Sequence, residues 1–200
     1  MASLRRVLMG LVLVLATSLV IGQSQPAATV PSPAAAQLLT LVKQQFGSTF
    51  TLPQAFPTPL ITADFDGDGV EDAVIVADSK EPLPDSFSFK YTVADPYNSY
   101  FGFGNPAVTS SFNSADPRRN HDLLIILGAG AEAWHSNTPK AKFVIINLPF
   151  DTIEVGRMLV KKNRPPIFVI KAQESQVMDS AVYWDIKKKR WKWEPGGIAN

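Results

Sequence analysis

The sequence predicts an α+β domain, a mainly antiparallel β-sheet covered by one N-terminal amphipathic helix. Three observations carry that expectation. Apolar residues recur at helical spacing in one segment, residues 34–46. The other hydrophobic stretches are short runs of Val, Ile, Leu and Phe bounded by turn residues. Sixteen prolines spread through 200 residues argue against a long helical bundle. A hydrophobic share of 46% against 18% charged residues belongs to a chain that buries a core.

The first element has the layout of an export signal, residues 1–22. Arg5 and Arg6 form a positive start, the following run to Ile21 is nearly all Leu, Val, Met and Ala, and Val20 and Gly22 offer a cleavage site before Gln23. The apolar run is about 15 residues, shorter than the roughly 20 that span a bilayer core. An uncleaved anchor is the other reading, and membrane attachment depends on it. Both readings place the remaining chain outside the cytoplasm, secreted or periplasmic. Residues 23–32 are a flexible leader of Ala, Pro, Ser, Thr and Gln, and residues 33–200 form a single globular domain.

In the helix, Ala35, Leu38, Leu39, Val42 and Phe46 share one face. Pro33 suits its first position and Gly47 its C-terminal cap. Strands are expected over 60–63, 73–77, 123–127, 142–147, 167–171, 181–186 and 190–194, with Lys187 to Lys189 turning between the last two. Fully apolar short strands imply cover on both faces, one of them from the helix. Residues 82–120 read as a long loop rich in aromatic residues, from Phe87 to Phe112. The alternation of Phe87, Phe89 and Tyr91 predicts a strand at its start. The rings either pack into the core or form a platform for a protein or carbohydrate partner.

Residues 64–72, Asp-Phe-Asp-Gly-Asp-Gly-Val-Glu-Asp, carry the only pattern with chemistry in it. Carboxylates at positions 1, 3, 5 and 9 of a tight loop suit calcium, which takes six to eight oxygen ligands. Asp64, Asp66, Asp68 and Asp72 are the candidate side-chain ligands, and the Val70 carbonyl is the backbone candidate. Glu71 is expected to point outward. Gly67 and Gly69 free the backbone to curl. Five acids in nine residues repel one another by about 1 to 3 kcal/mol per close pair, so the loop calls for a cation. An EF-hand needs a bidentate Glu at position 12, which is Ile75 here.

Apolar strand, acidic loop and apolar strand over Ile61 to Val76 resemble the calcium-loop repeat of FG-GAP or integrin-alpha-type proteins, also found in VCBS-like repeats. The resemblance implies the same ligand set, Asp64, Asp66, Asp68 and Asp72 with the Val70 carbonyl. Such repeats build propellers of about four to eight blades. One clear copy is present, and the best second candidate, residues 114–122, keeps Asp116 and Asp122 but has Ser114 and Arg118 at ligand positions. A smaller sheet is expected in place of a complete propeller.

Without Arg5 and Arg6 the chain holds 17 basic and 18 acidic residues, a net of −1. A near-neutral chain has no field to draw nucleic acid. No cysteine means no disulfide, thiolate metal site or cysteine nucleophile. His121 and His135 lie in no recognised catalytic frame, and Gly128-Ala129-Gly130 reads as a turn. The combined expectation is an exported calcium-binding domain, a non-catalytic binding or structural module. A secreted hydrolase with a non-linear active site is the alternative, marked by His121 or His135 gathered with carboxylates in one cleft.

Overall fold

Helix α1 runs Pro33–Phe46 in a computed structural model that describes residues 33–79, 85–103, 121–160, 162–174 and 178–196. The signal segment, the leader and the 114–120 stretch lie outside the described residues. Gly47 ends α1 at φ +97°, its N–H bonded to the Lys43 carbonyl at 3.1 Å. The covering face is Leu38, Leu41, Val42, Gln45 and Phe46, rotated slightly from the expected one.

Among the described residues ten strands follow: β1 Phe50–Thr51, β2 Leu60–Ala63, β3 Asp72–Ser79, β4 Thr92–Ala94, β5 His121–Leu127, β6 Ala141–Ile145, β7 Thr152–Met158, β8 Ile167–Glu174, β9 Met178–Asp185 and β10 Arg190–Pro195. One sheet has the order β1-β3-β5-β6-β4, with β2 also on β3. The other has the order β10-β9-β8-β7. Every pairing is antiparallel except β4 with β6. The architecture is mixed α+β, mainly antiparallel, and neither a closed barrel nor a propeller.

The apolar strands are covered twice, because successive residues point to opposite faces. Ile75, Leu124, Ile126 and Val144 pack under α1 with Val42, Phe46 and Phe50. Val74, Val76, Leu123, Ile125 and Ile145 meet Ile170, Val182, Trp191 and Trp193 of the second sheet. The first sheet is therefore the middle layer.

The 87–91 alternation does not make a strand. Ser86–Phe89 is a one-turn helix, α2, ended by Lys90 at φ +54°. Of the three rings only Tyr91 is buried, against Phe46 and Phe50, and Phe87 is fully exposed. A second short helix, α3 at Pro96–Tyr100, starts on Asp95, whose buried carboxylate accepts from Asn98 N–H and from Asn147 Nδ2 at 2.7 Å.

Candidate metal centre

The acidic loop joins β2 to β3, which pair from Leu60↔Ile75 to Ala63↔Asp72. That ladder brings the loop's two ends together. Phe65, 3% exposed, points down into the inter-sheet core and anchors the loop from below. Gly67 and Gly69 take φ of +77° and +88°, a region most side chains avoid.

Ligand atoms of Asp64, Asp66 and Asp72 lie within 4.8 Å of one another, a cluster able to hold a metal ion. Two oxygens on one calcium, each at about 2.4 Å, are at most about 4.8 Å apart. The loop's own amides aim these carboxylates. Gly67 N–H and Asp68 N–H donate to Asp64 Oδ1 at 2.8 and 3.0 Å, and Gly69 N–H donates to Asp64 Oδ2 at 2.8 Å. Phe65 N–H reaches Asp72 Oδ2 at 2.8 Å. Asp72 is nearly buried, and burial pushes its carboxyl up to about 6, helped by the Asp66 charge and opposed by backbone donors led by Gly128.

Asp68 stands apart from that trio. Its Oδ1 accepts Val70 N–H at 2.9 Å, and its Oδ2 meets Lys140 Nζ at 2.6 Å. Lys140 Nζ also lies 2.6 Å from Asp66 Oδ2. The lysine hydrogen bond holds the Asp68 carboxyl below its ordinary range, and the two aspartates raise Lys140. Glu71 is exposed, accepting from Thr62 Oγ1 and Trp134 Nε1, each at 3.0 Å.

Two residues that shape the site escaped the sequence reading. Lys140 comes from just before β6. Gly128, following β5, gives its N–H to Asp72 Oδ1 at 2.8 Å. Gly128-Ala129-Gly130 is more than a turn, since the segment it begins rests against the acidic loop.

His121 and His135 are not brought together. The His121 ring is 2.5 Å from Asp78 Oδ1 in a cleft that Asp151 also lines, the gathering of histidine with carboxylates expected of the hydrolase alternative, and the His135 ring lies tilted against that of Trp134. Exposed aromatic residues gather elsewhere. Exposed Tyr100 and Phe101, with half-buried Tyr97, surround the buried Trp193 with ring centroids 4.8 to 5.8 Å away, and Phe103 is also exposed. Among the described residues no helix is long and apolar enough to cross a membrane. Comparison with protein-family models, with curated proteins and with solved structures finds no significant match to the chain.

Proposed function

We propose that residues 64–72 form a calcium site and that the protein is an exported, calcium-stabilised binding or structural module without catalytic activity. The observation that carries this is the convergence of Asp64, Asp66 and Asp72 on a common centre at calcium-compatible spacing. An all-carboxylate set selects a hard cation over zinc or copper. A curled loop with backbone carbonyls at hand suits the larger, more loosely coordinated calcium better than octahedral magnesium. Asp68 and the Val70 carbonyl complete the set once the ion draws them in. The β2–loop–β3 frame supports the FG-GAP-like reading of this segment. Export follows from the signal-like residues 1–22, and the Tyr97–Tyr100–Phe101 rings are the surface offered to a protein or carbohydrate partner.

An extracellular-type site with a Kd of about 0.1 mM adds about 1.4 kcal/mol at about 1 mM calcium. Thermal melting should therefore rise by about 3 to 6 °C with calcium over chelator, with a smaller shift for magnesium. Asp66→Ala should abolish the rise. Identical melts in calcium, magnesium and chelator would end the proposal.

Lys140 occupies the same carboxylates, so it competes with the ion. Lys140→Gln is expected to tighten calcium binding about three- to tenfold by titration calorimetry. It should also cost at most about 1 kcal/mol of metal-free stability, because the lysine is half exposed. Unchanged affinity would show that ammonium and ion do not share a site.

A further inference from the structure

The second sheet turns twice at one end. The β7–β8 turn closes on the rung Met158↔Ile167, and the β9–β10 turn closes on Asp185↔Arg190. Ile167 and Asp185 each stand three residues beyond the shared rung Ile170↔Val182, so both turns leave the same end of the sheet. Neighbouring strands lie about 4.8 Å apart, which sets the two turns about 10 Å from one another.

Residues 159–166 and 186–190 contain seven basic residues and no acidic one. Six of the seven, Lys162, Arg164, Lys187, Lys188, Lys189 and Arg190, are described and exposed. None of the six makes a side-chain ion pair or hydrogen bond among the described residues, whereas Lys140, Lys171 and Lys192 are each paired. Asp185, the acid nearest in sequence, is engaged within its own hairpin. Its Oδ1 accepts Lys187 N–H and Lys188 N–H, each at 3.1 Å, and its Oδ2 lies 3.1 Å from Lys192 Nζ. The acidic loop also meets this end, since a Cβ built on Gly67 would lie 3.6 Å from Ile186 Cδ1. Lys140 holds the Asp66 and Asp68 carboxylates, and loop amides hold Asp64, so the loop leaves the six cations unpaired.

Apolar side chains stand among these cations. Leu159, Val160 and Ile186 are 54%, 46% and 58% exposed. A soluble polyanion would use the cations alone. The interface of an anionic bilayer uses both, because lysine and arginine meet the headgroups while short apolar tips enter beneath them.

We propose that this end of the second sheet docks on an anionic lipid bilayer, with Leu159, Val160 and Ile186 entering the interface and the six cations meeting phosphate headgroups. Docking requires neither calcium nor the rings around Trp193, because its residues belong to neither site.

Nanodiscs carrying a spin-labelled lipid test it on the full-length chain in chelator. One set contains phosphatidylcholine alone, and the other adds phosphatidylglycerol. The anionic discs should broaden the amides of Val160, Lys162, Ile186, Lys188 and Lys189. Those of Gln173 and Asp179, paired at the other end of the sheet, should stay sharp. Neutral discs should broaden the turn amides at least about tenfold less. Each basic residue near an anionic surface contributes about fivefold in affinity, so Lys188→Glu with Lys189→Glu should raise the disc concentration needed by at least about twentyfold. Ile186→Ser with Leu159→Ser should raise it about tenfold by removing apolar contact. An unchanged spectrum for β8 checks that each variant is folded. Equal broadening on both disc types, no broadening at the turns, or indifference to the charge reversal overturns the proposal. So does indifference to the two serine substitutions, and equal shifts from soluble polyphosphate would then identify a polyanion site.

Discussion

Gly128→Ala should destabilise the protein by about 3 kcal/mol and lower its melting temperature by about 6 to 12 °C. A methyl group at this position would collide with the Glu71 carbonyl oxygen, and it would lie 2.9 Å from the Ala133 carbonyl carbon and Val70 Cγ1. Two of those three atoms are backbone, so no rotamer change relieves the overlap. Retreat is blocked too, since the Gly128 N–H holds the nearly buried Asp72 at 2.8 Å. If the segment moves away, Asp72 loses a donor and the ligand trio loses its deepest member. The variant should therefore respond to calcium less than its parent, beyond its lower baseline. Urea unfolding with and without calcium reads both effects, and a variant as stable as the parent would refute the packing argument.

Asp122→Asn is expected to act in the opposite direction, stabilising the protein by about 2 kcal/mol near pH 8. Asp122, the second residue of β5, has no exposed surface, and neither carboxylate oxygen has a hydrogen-bond partner among the described residues. Burial holds its carboxyl well above the ordinary range, and the Asp78 charge adds to the shift. The folded chain thus keeps a proton that the unfolded chain releases above about pH 4. Stability contributed by that proton is intact below about pH 4 and is lost as pH rises toward the folded value. Asparagine has no proton to lose. Its advantage should therefore grow from near zero at about pH 4 to its full size at about pH 8, measured as the difference in unfolding free energy. Titration of the acidic loop is common to both proteins and cancels in that difference. A gain independent of pH, or a loss, would refute the buried, protonated carboxyl.

Most of the central architecture could be read from side-chain order alone. The runs behind β3 and β5, residues 73–77 and 123–127, are apolar at every position, and β6 departs from that only at Lys142; a strand covered on both faces uses such a run. Strands β1, β4 and β7 left no comparable mark. The first two are two and three residues long, and β7 interrupts its apolar residues with Glu154, Gly156 and Arg157. These strands owe their form to the partner, as where Gly156 lies opposite Val169 in an unbroken ladder from Thr152 to Met158. The Phe87–Tyr91 alternation misled because three aromatic residues at period two do not say which face is buried. A single helical turn there seats Tyr91 in the core and leaves Phe87 outside.

The ligand trio was legible because local spacing alone brings its members near one another. Its control was not. Lys140 lies 74 residues from Asp66, and Gly128 lies 56 from Asp72. Only the folded β3–β5–β6 ladder places them beside the loop. The Asp78–His121 pair is similar, with 43 residues between partners that become neighbours through antiparallel register.

The ribbon made by β3 and β5 behaves as a rigid spacer. From Asp72 to Asp78 it measures about 20 Å, and its continuous cross-bonding resists stretching. Ion occupancy at the Asp72 tip is expected to leave the spacing of the ladder at the Asp78 tip unchanged.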